Sequence, residues 1–157
     1  MKKIIMVSTN NTCRSFIAES ILRQYLLDAD QKNVEVISRG LVVLFPEPVH
    51  VKAADMVIRR AGLKVLIFRS AQLTQEEVEE SDLILTMTEE QKDKILEEYH
   101  GYKEIATLNE YARVEGAIID PYGMEDDDYE RCFEQIARLV KKIWQEKTRR
   151  KQNDRYW

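Results

Sequence analysis

The chain has 157 residues, 24 Lys and Arg against 28 Asp and Glu, a net charge of −4 and 44% apolar residues. That length suits one ordinary domain with a real core, the apolar fraction excludes a disordered chain, and the acidic balance argues against a nucleic-acid binder. Cys13 and Cys132 make neither a disulfide framework nor a Cys/His cluster spaced for zinc.

Residues 3–7 (KIIMV) form a short β-branched run, as expected of a strand buried on both faces. Its apolar part is too short for a signal peptide or a membrane span, so a soluble, reduced, cytoplasmic monomer without membrane contact is expected. A polar run, residues 8–15 (STNNTCRS), follows at once, and then Ile17, Ala18, Ile21, Leu22, Tyr25 and Leu26 recur at helical spacing. Residues 34–38 read as a second strand, followed by a loop with Pro46 and Pro48, then a helix over 52–61 ended by Gly62. Thr74 with Glu77 has capping-box spacing, residues 82–87 form another strand, and Thr88 with Gln91 opens a helix reaching about Tyr99. Residues 104–108 are a weaker strand. Beyond Asp120-Pro121, residues 127–147 form a long amphipathic helix carrying Cys132, Phe133, Ile136 and Trp144 as packing positions.

Eight bases and two acids fall between Arg138 and Trp157, which leaves −10 on the rest of the chain. This reads as a solvated helix face running into a basic tail, 148–157, after a single domain, 1–147. His50, at a loop or helix start, and His100, beside a glycine, carry no expected role.

Alternating strands and helices predict an α/β fold: a doubly wound, three-layer, four-stranded parallel sheet with helices on both faces. Ligands of such sheets bind beyond the carboxyl ends of the strands, where residues 8–15 lie. Successive backbone N–H groups at a helix start suit an anion, and Arg14 adds a planar fork for two phosphate oxygens. Asn11 and Ser15 have short polar side chains that hold such a loop in shape. From loop chemistry alone, a plain polar turn capped by Ser15 stays open beside the anion site.

Residues 4–19 (IIMVSTNNTCRSFIAE) resemble the opening of the low-molecular-weight protein tyrosine phosphatase family, C-x-G-N-x-C-R-S-P-x-A-E after a strand. Asn11, Cys13, Arg14, Ser15, Ala18 and Glu19 match that pattern. The resemblance continues through Ser38-Arg39-Gly40, Leu73-Thr74, residues 81–88 (SDLILTMT) and residues 119–123 (IDPYG). It implies sheet order 2-1-3-4, no cofactor or metal, and a phosphorylated protein as substrate. Phosphate or another oxyanion would sit in the loop, contacted by Thr9, Asn10, Asn11, Thr12, Cys13 and Ser15.

The departures are as informative. Ser8 stands where the family has its nucleophilic cysteine, Asn10 replaces a glycine and Phe16 a proline. Phe68 and Ala71 replace a common histidine and arginine. By resemblance Arg14 would bind the transferring phosphoryl group and Asp120 would be the general acid. A thiol has pKa ~8.5 and such a loop lowers it, whereas a serine hydroxyl starts many units higher, so slow turnover is expected. Ser8 is either an engineered change in a true phosphatase or the mark of a natural pseudophosphatase that binds phosphate.

Thr12 and the lone aromatic of Asp120-Pro121-Tyr122-Gly123 resemble the bacterial branch acting on phosphoarginine, so phosphoarginine and phosphotyrosine both stand as substrates. Tyr122, Leu41 and Phe45 are candidates for the aromatic or apolar wall. The cysteine relay of an arsenate reductase, the acidic pocket of a receiver domain and a G-x-G-x-x-G fingerprint are all missing.

Overall fold

Ile4 and Met6 point to one face of a sheet and Ile5 and Val7 to the other, and both pairs are buried. A strand of this kind must be covered twice, and the computed structural model, which describes residues 1–65, 68–150 and 156–157, shows it so. In chain order the elements are β1 (Lys2–Ser8), α1 (Arg14–Asp28), β2 (Val34–Gly40), α2 (Val51–Ala61), α3 (Gln75–Glu80), β3 (Leu83–Thr86), α4 (Glu89–Glu98), β4 (Ile105–Thr107), α5 (Leu108–Ala112) and α6 (Asp126–Arg149). The strands lie in the order β2-β1-β3-β4, all parallel, as the sequence predicts.

The larger core packs α1, α2, α5 and α6 against Ile4, Met6, Val34, Val36, Leu83 and Leu85. A smaller one sets Val78 of α3 and Ile95 of α4 against Ile5, Val7 and Ile84 on the opposite face. The three layers follow from that division.

Both predicted capping boxes form: Thr74 accepts from the Glu77 N–H and Thr88 from the Gln91 N–H, with the reciprocal bonds present. A third box, Thr107 with Glu110, opens α5, where the sequence reading continued a strand to Leu108. The pattern was present in Thr107-Leu108-Asn109-Glu110 but followed an apolar run and was absorbed into it. Gly62 closes α2 in a left-handed conformation (φ 67°), as expected.

Helix α6 reaches Arg149, two residues beyond the expected end. Residues 151–155 of the basic tail lie outside the described residues. Trp144, stacked on Tyr25 at 5.4 Å, also meets Tyr156 at 4.8 Å. Among the described residues no helix is long and apolar enough to cross a membrane.

The register of β1 and β2 positions the site. Ser8 pairs with Gly40, and beyond that pair the Leu41 N–H donates to the carbonyls of Ser8 (3.1 Å) and Thr9 (3.0 Å). A Cβ on Gly40 would lie 2.9 Å from the Thr9 carbonyl oxygen and 3.1 Å from the Asn10 carbonyl carbon. Only glycine lets β2 approach the loop this closely.

Candidate active site

Residues 8–15 leave the carboxyl end of β1 at its centre in the sheet, between β2 and β3, and enter the N-terminus of α1. The turn is made at Asn11, the one residue of the loop with positive φ (59°), which asparagine tolerates better than most residues. Its side chain is fully used: Oδ1 accepts from the Ala71 N–H (3.0 Å) and Nδ2 donates to Ser15 Oγ (2.9 Å). The bond to residue 71 uses backbone, so alanine there costs the loop nothing. Asn10 has no positive φ, so the glycine of the family pattern is dispensable at this position.

Ser8 Oγ is buried, 2.6 Å from Ser15 Oγ and 3.3 Å from the Asn11 N–H. Ser15 Oγ accepts from Asn11, and in the bond between the two hydroxyls either oxygen can be the donor. With the Ser15 proton directed at Ser8, both neighbours donate to Ser8, an arrangement that favours negative charge on that atom. Among the described residues no carboxylate or imidazole hydrogen-bonds to Ser8.

The first turn of α1 adds Arg14, buried despite its charge. Nη1 donates to the Ile118 carbonyl (2.7 Å) and Nη2 lies 3.7 Å from Asp120 Oδ2. Ile118 in turn donates its N–H to the Met87 carbonyl just after β3 (3.1 Å), which brings the Asp120 loop over the cradle. Asp120 is partly exposed, and its Oδ1 accepts from the Tyr122 N–H (3.2 Å). Arginine, carboxylate and hydroxyl therefore meet above one helix N-terminus, with the helix dipole favouring an anion there. The enclosed space is small, about 20 Å³, and is lined by Ser8, residues 10–14, Asp120, Tyr122, His50 and Tyr129. It opens beside a larger groove of about 430 Å³, with Val42, Val43, Leu44, Phe45 and Glu47 on its walls.

Ser8, Arg14, Asp120, Asn10, Asn11, Thr12, Cys13 and Tyr122 are thus brought together. The side chains of Thr9 and Ser15 are engaged within the protein. Thr9 Oγ1 accepts from Gln91 Nε2 (3.1 Å), and Ser15 supports Ser8 from beneath. The turn is not capped by Ser15, since Cys13 holds the N-cap position. Leu41, expected as a wall, is buried in the smaller core, because its N–H is drawn to the Ser8 and Thr9 carbonyls. The Cys13 thiol is half-buried, and its pairing with Cys132 and its partial burial push its pKa up, so it stays protonated at neutral pH.

The model of the family described as "Low molecular weight phosphotyrosine protein phosphatase" matches residues 3–153. The chain belongs to this family. It is 35% identical over 141 residues to the low molecular weight protein-tyrosine-phosphatase PtpB of Staphylococcus haemolyticus, covering 90% of this chain and 96% of that one. The PtpB of Staphylococcus aureus is 31% identical over the same shares. Among solved structures, a low molecular weight protein tyrosine phosphatase from T. tengcongensis superposes with a TM-score of 0.85 at 28% identity, over 93% of this chain and 99% of that one. A YwlE arginine phosphatase, a cysteine-to-serine mutant with a phosphorylated active site serine, superposes with a TM-score of 0.84 at 29% identity, over 95% and 97%.

Within this phosphatase family, two of the departures noted in sequence explain one another. Phe16, buried in the larger core, and Phe68, packed against that core, meet edge to face with ring centroids 4.8 Å apart. The loop's hydrogen bonds among Ser8, Asn11 and Ser15 are present with these two rings in place.

The sequence reading missed His50 and Tyr129. His50 caps α2, its Nδ1 accepting from the Lys52 N–H (3.2 Å), and its ring lines the phosphatase pocket. Tyr129, buried on α6, stacks on that ring at 5.2 Å. No spacing rule links residue 50 to residues 8–15; the one signal available was its place just before a helix, where a side chain is held by its cap. His100, by contrast, is an exposed surface residue 3.6 Å from Glu79, as expected.

Proposed function

We propose that this protein binds a phosphorylated side chain of a protein substrate in the 8–15 loop and hydrolyses it poorly, because Ser8 occupies the position of the nucleophile. The observation that carries this reading is the surroundings of Ser8 Oγ. It lies within hydrogen-bond reach of the Asn11 N–H and the Ser15 hydroxyl near a helix N-terminus, and among the described residues no carboxylate or imidazole hydrogen-bonds to it. In the first step Ser8 Oγ would form a bond to phosphorus as the bond from phosphorus to the substrate's nitrogen or oxygen breaks, with the hydroxyl proton passing to a phosphoryl oxygen. Asp120 would give its proton to the leaving group, and Arg14 would balance charge on the phosphoryl oxygens. Water would then attack phosphorus, with Asp120 taking a proton from it and Ser8 leaving as a hydroxyl that recovers the proton held on the phosphoryl group.

A thiolate enters the first step already deprotonated, whereas Ser8 must lose its proton with no side-chain base among the described residues hydrogen-bonded to take it, leaving only the weakly basic phosphoryl group. The YwlE mutant carries a phosphorylated active site serine, which supports a Ser8 that accepts a phosphoryl group and passes it on slowly. Retention of the buried Arg14 together with loss of the thiol favours a second reading, a phosphate-reading module in which hydrolysis has no part. Thr12 at the pocket supports phosphoarginine as the ligand, since its hydroxyl can hydrogen-bond a guanidinium; phosphotyrosine is the alternative.

The test compares this chain with Ser8→Cys on an aryl phosphate and on phosphoarginine in one buffer. The expected outcome is a rise in turnover of roughly a thousandfold or more, about 4 kcal/mol of barrier, with the faster substrate naming the side chain. If both proteins are silent while both bind phosphate, the module reading replaces the enzymatic one.

A further inference from the structure

The loop that carries Asp120 presents one ring to the pocket, Tyr122, and a phosphorylated side chain in the cradle must leave past it. A second ring, that of His50, adjoins it edge to face and is contributed by a different element. We infer that His50 is a specificity-determining residue which, with Tyr122, walls the passage taken by the phosphorylated side chain and favours a flat, delocalised group there. The inference rests on the reading of residues 8–15 as the phosphoryl site.

Three contacts fix the His50 ring before any ligand arrives. Its backbone N–H donates to the Thr12 carbonyl (2.9 Å), which ties it to the loop itself. Its Nδ1 accepts from the Lys52 N–H, so the proton of the neutral ring lies on Nε2, 3.5 Å from the Tyr129 hydroxyl. The ring lies nearly parallel to that of Tyr129, 21° between planes, and almost perpendicular to Tyr122, 84° at 6.3 Å between centroids. Two rings at right angles make a corner in which a guanidinium or a phenyl ring meets one π face and one edge. A serine or threonine phosphate has no flat group to place there. Because the ring is already held by cap and stack, little side-chain freedom is lost when a ligand packs against it.

Two variants separate the wall from the cap. His50→Asn keeps a short acceptor at the helix start and removes the ring; His50→Phe keeps a flat ring and removes the acceptor. Equilibrium binding is measured for inorganic phosphate, phosphotyrosine, phosphoarginine and a phosphoserine peptide. The expected result for His50→Asn is a loss of ~3- to 10-fold for phosphotyrosine and phosphoarginine, with inorganic phosphate and phosphoserine within about twofold. His50→Phe is expected to recover the affinity for the flat ligands at a lower Tm. The inference is overturned if His50→Asn binds the flat ligands as the parent does. It is equally overturned if all four anions weaken by one common factor, since His50 would then act only by anchoring Thr12. If the parent protein binds none of the four, the reading of the loop fails and this inference with it.

Discussion

The two halves of the pocket are built on opposite plans. In the 8–15 loop Ser8, Asn11, Arg14 and Ser15 are exposed by 5% or less, and three hydrogen bonds join Ser8, Asn11 and Ser15. Across from it Ile119 and Tyr122 are exposed by 70% and 73%, and Asp120 is held by a contact to Arg14 and a turn of its own. The buried half has one shape and fits one kind of group, a compact anion. The open half fixes no shape beyond its rings, so differences between substrates are read there. Affinity for phosphate and choice of substrate are thereby assigned to different residues, and substitutions can address each separately.

The largest effect on this contrast comes from Arg14→Ala. Removing a buried guanidinium that faces the anion should weaken inorganic phosphate binding by at least ~100-fold, about 3 kcal/mol, as titration calorimetry would show. A loss of only a few-fold would place the anion-binding energy in the backbone alone. Asn11→Ala comes next. It puts alanine at φ 59° and strips both side-chain bonds, so a destabilisation of about 2–3 kcal/mol is expected in denaturant unfolding. An unchanged midpoint would mean that the loop is not the rigid half. The smallest effect is that of Tyr122→Ala, expected to leave stability within ~0.5 kcal/mol while lowering affinity for a flat phosphorylated side chain a few-fold. If Tyr122→Ala unfolds the protein as readily as Asn11→Ala does, the division between the halves is wrong.

The same contrast explains what could be read from the chain. Strand β1, the anion loop and α1 are consecutive, so their geometry is local, and the apolar run, polar turn and helical spacing announce it. The two earlier capping boxes were legible for the same reason, whereas the sheet order came from the family resemblance. His50 and Tyr129 were not legible, because the residue capping α2 and one from α6 reach the pocket only through the tertiary fold. Leu41 was misread since register sets its direction: once Ser8 pairs with Gly40, the next N–H is drawn to the loop carbonyls and the side chain turns into the core. The direction of the Thr9 side chain was not legible because its partner, Gln91, lies 82 residues away.

The contact between Phe16 and Phe68 has a consequence for anyone who replaces either ring. Removing one uncovers the other, so the energies of the two positions are coupled and the double replacement costs less than the sum of the single ones.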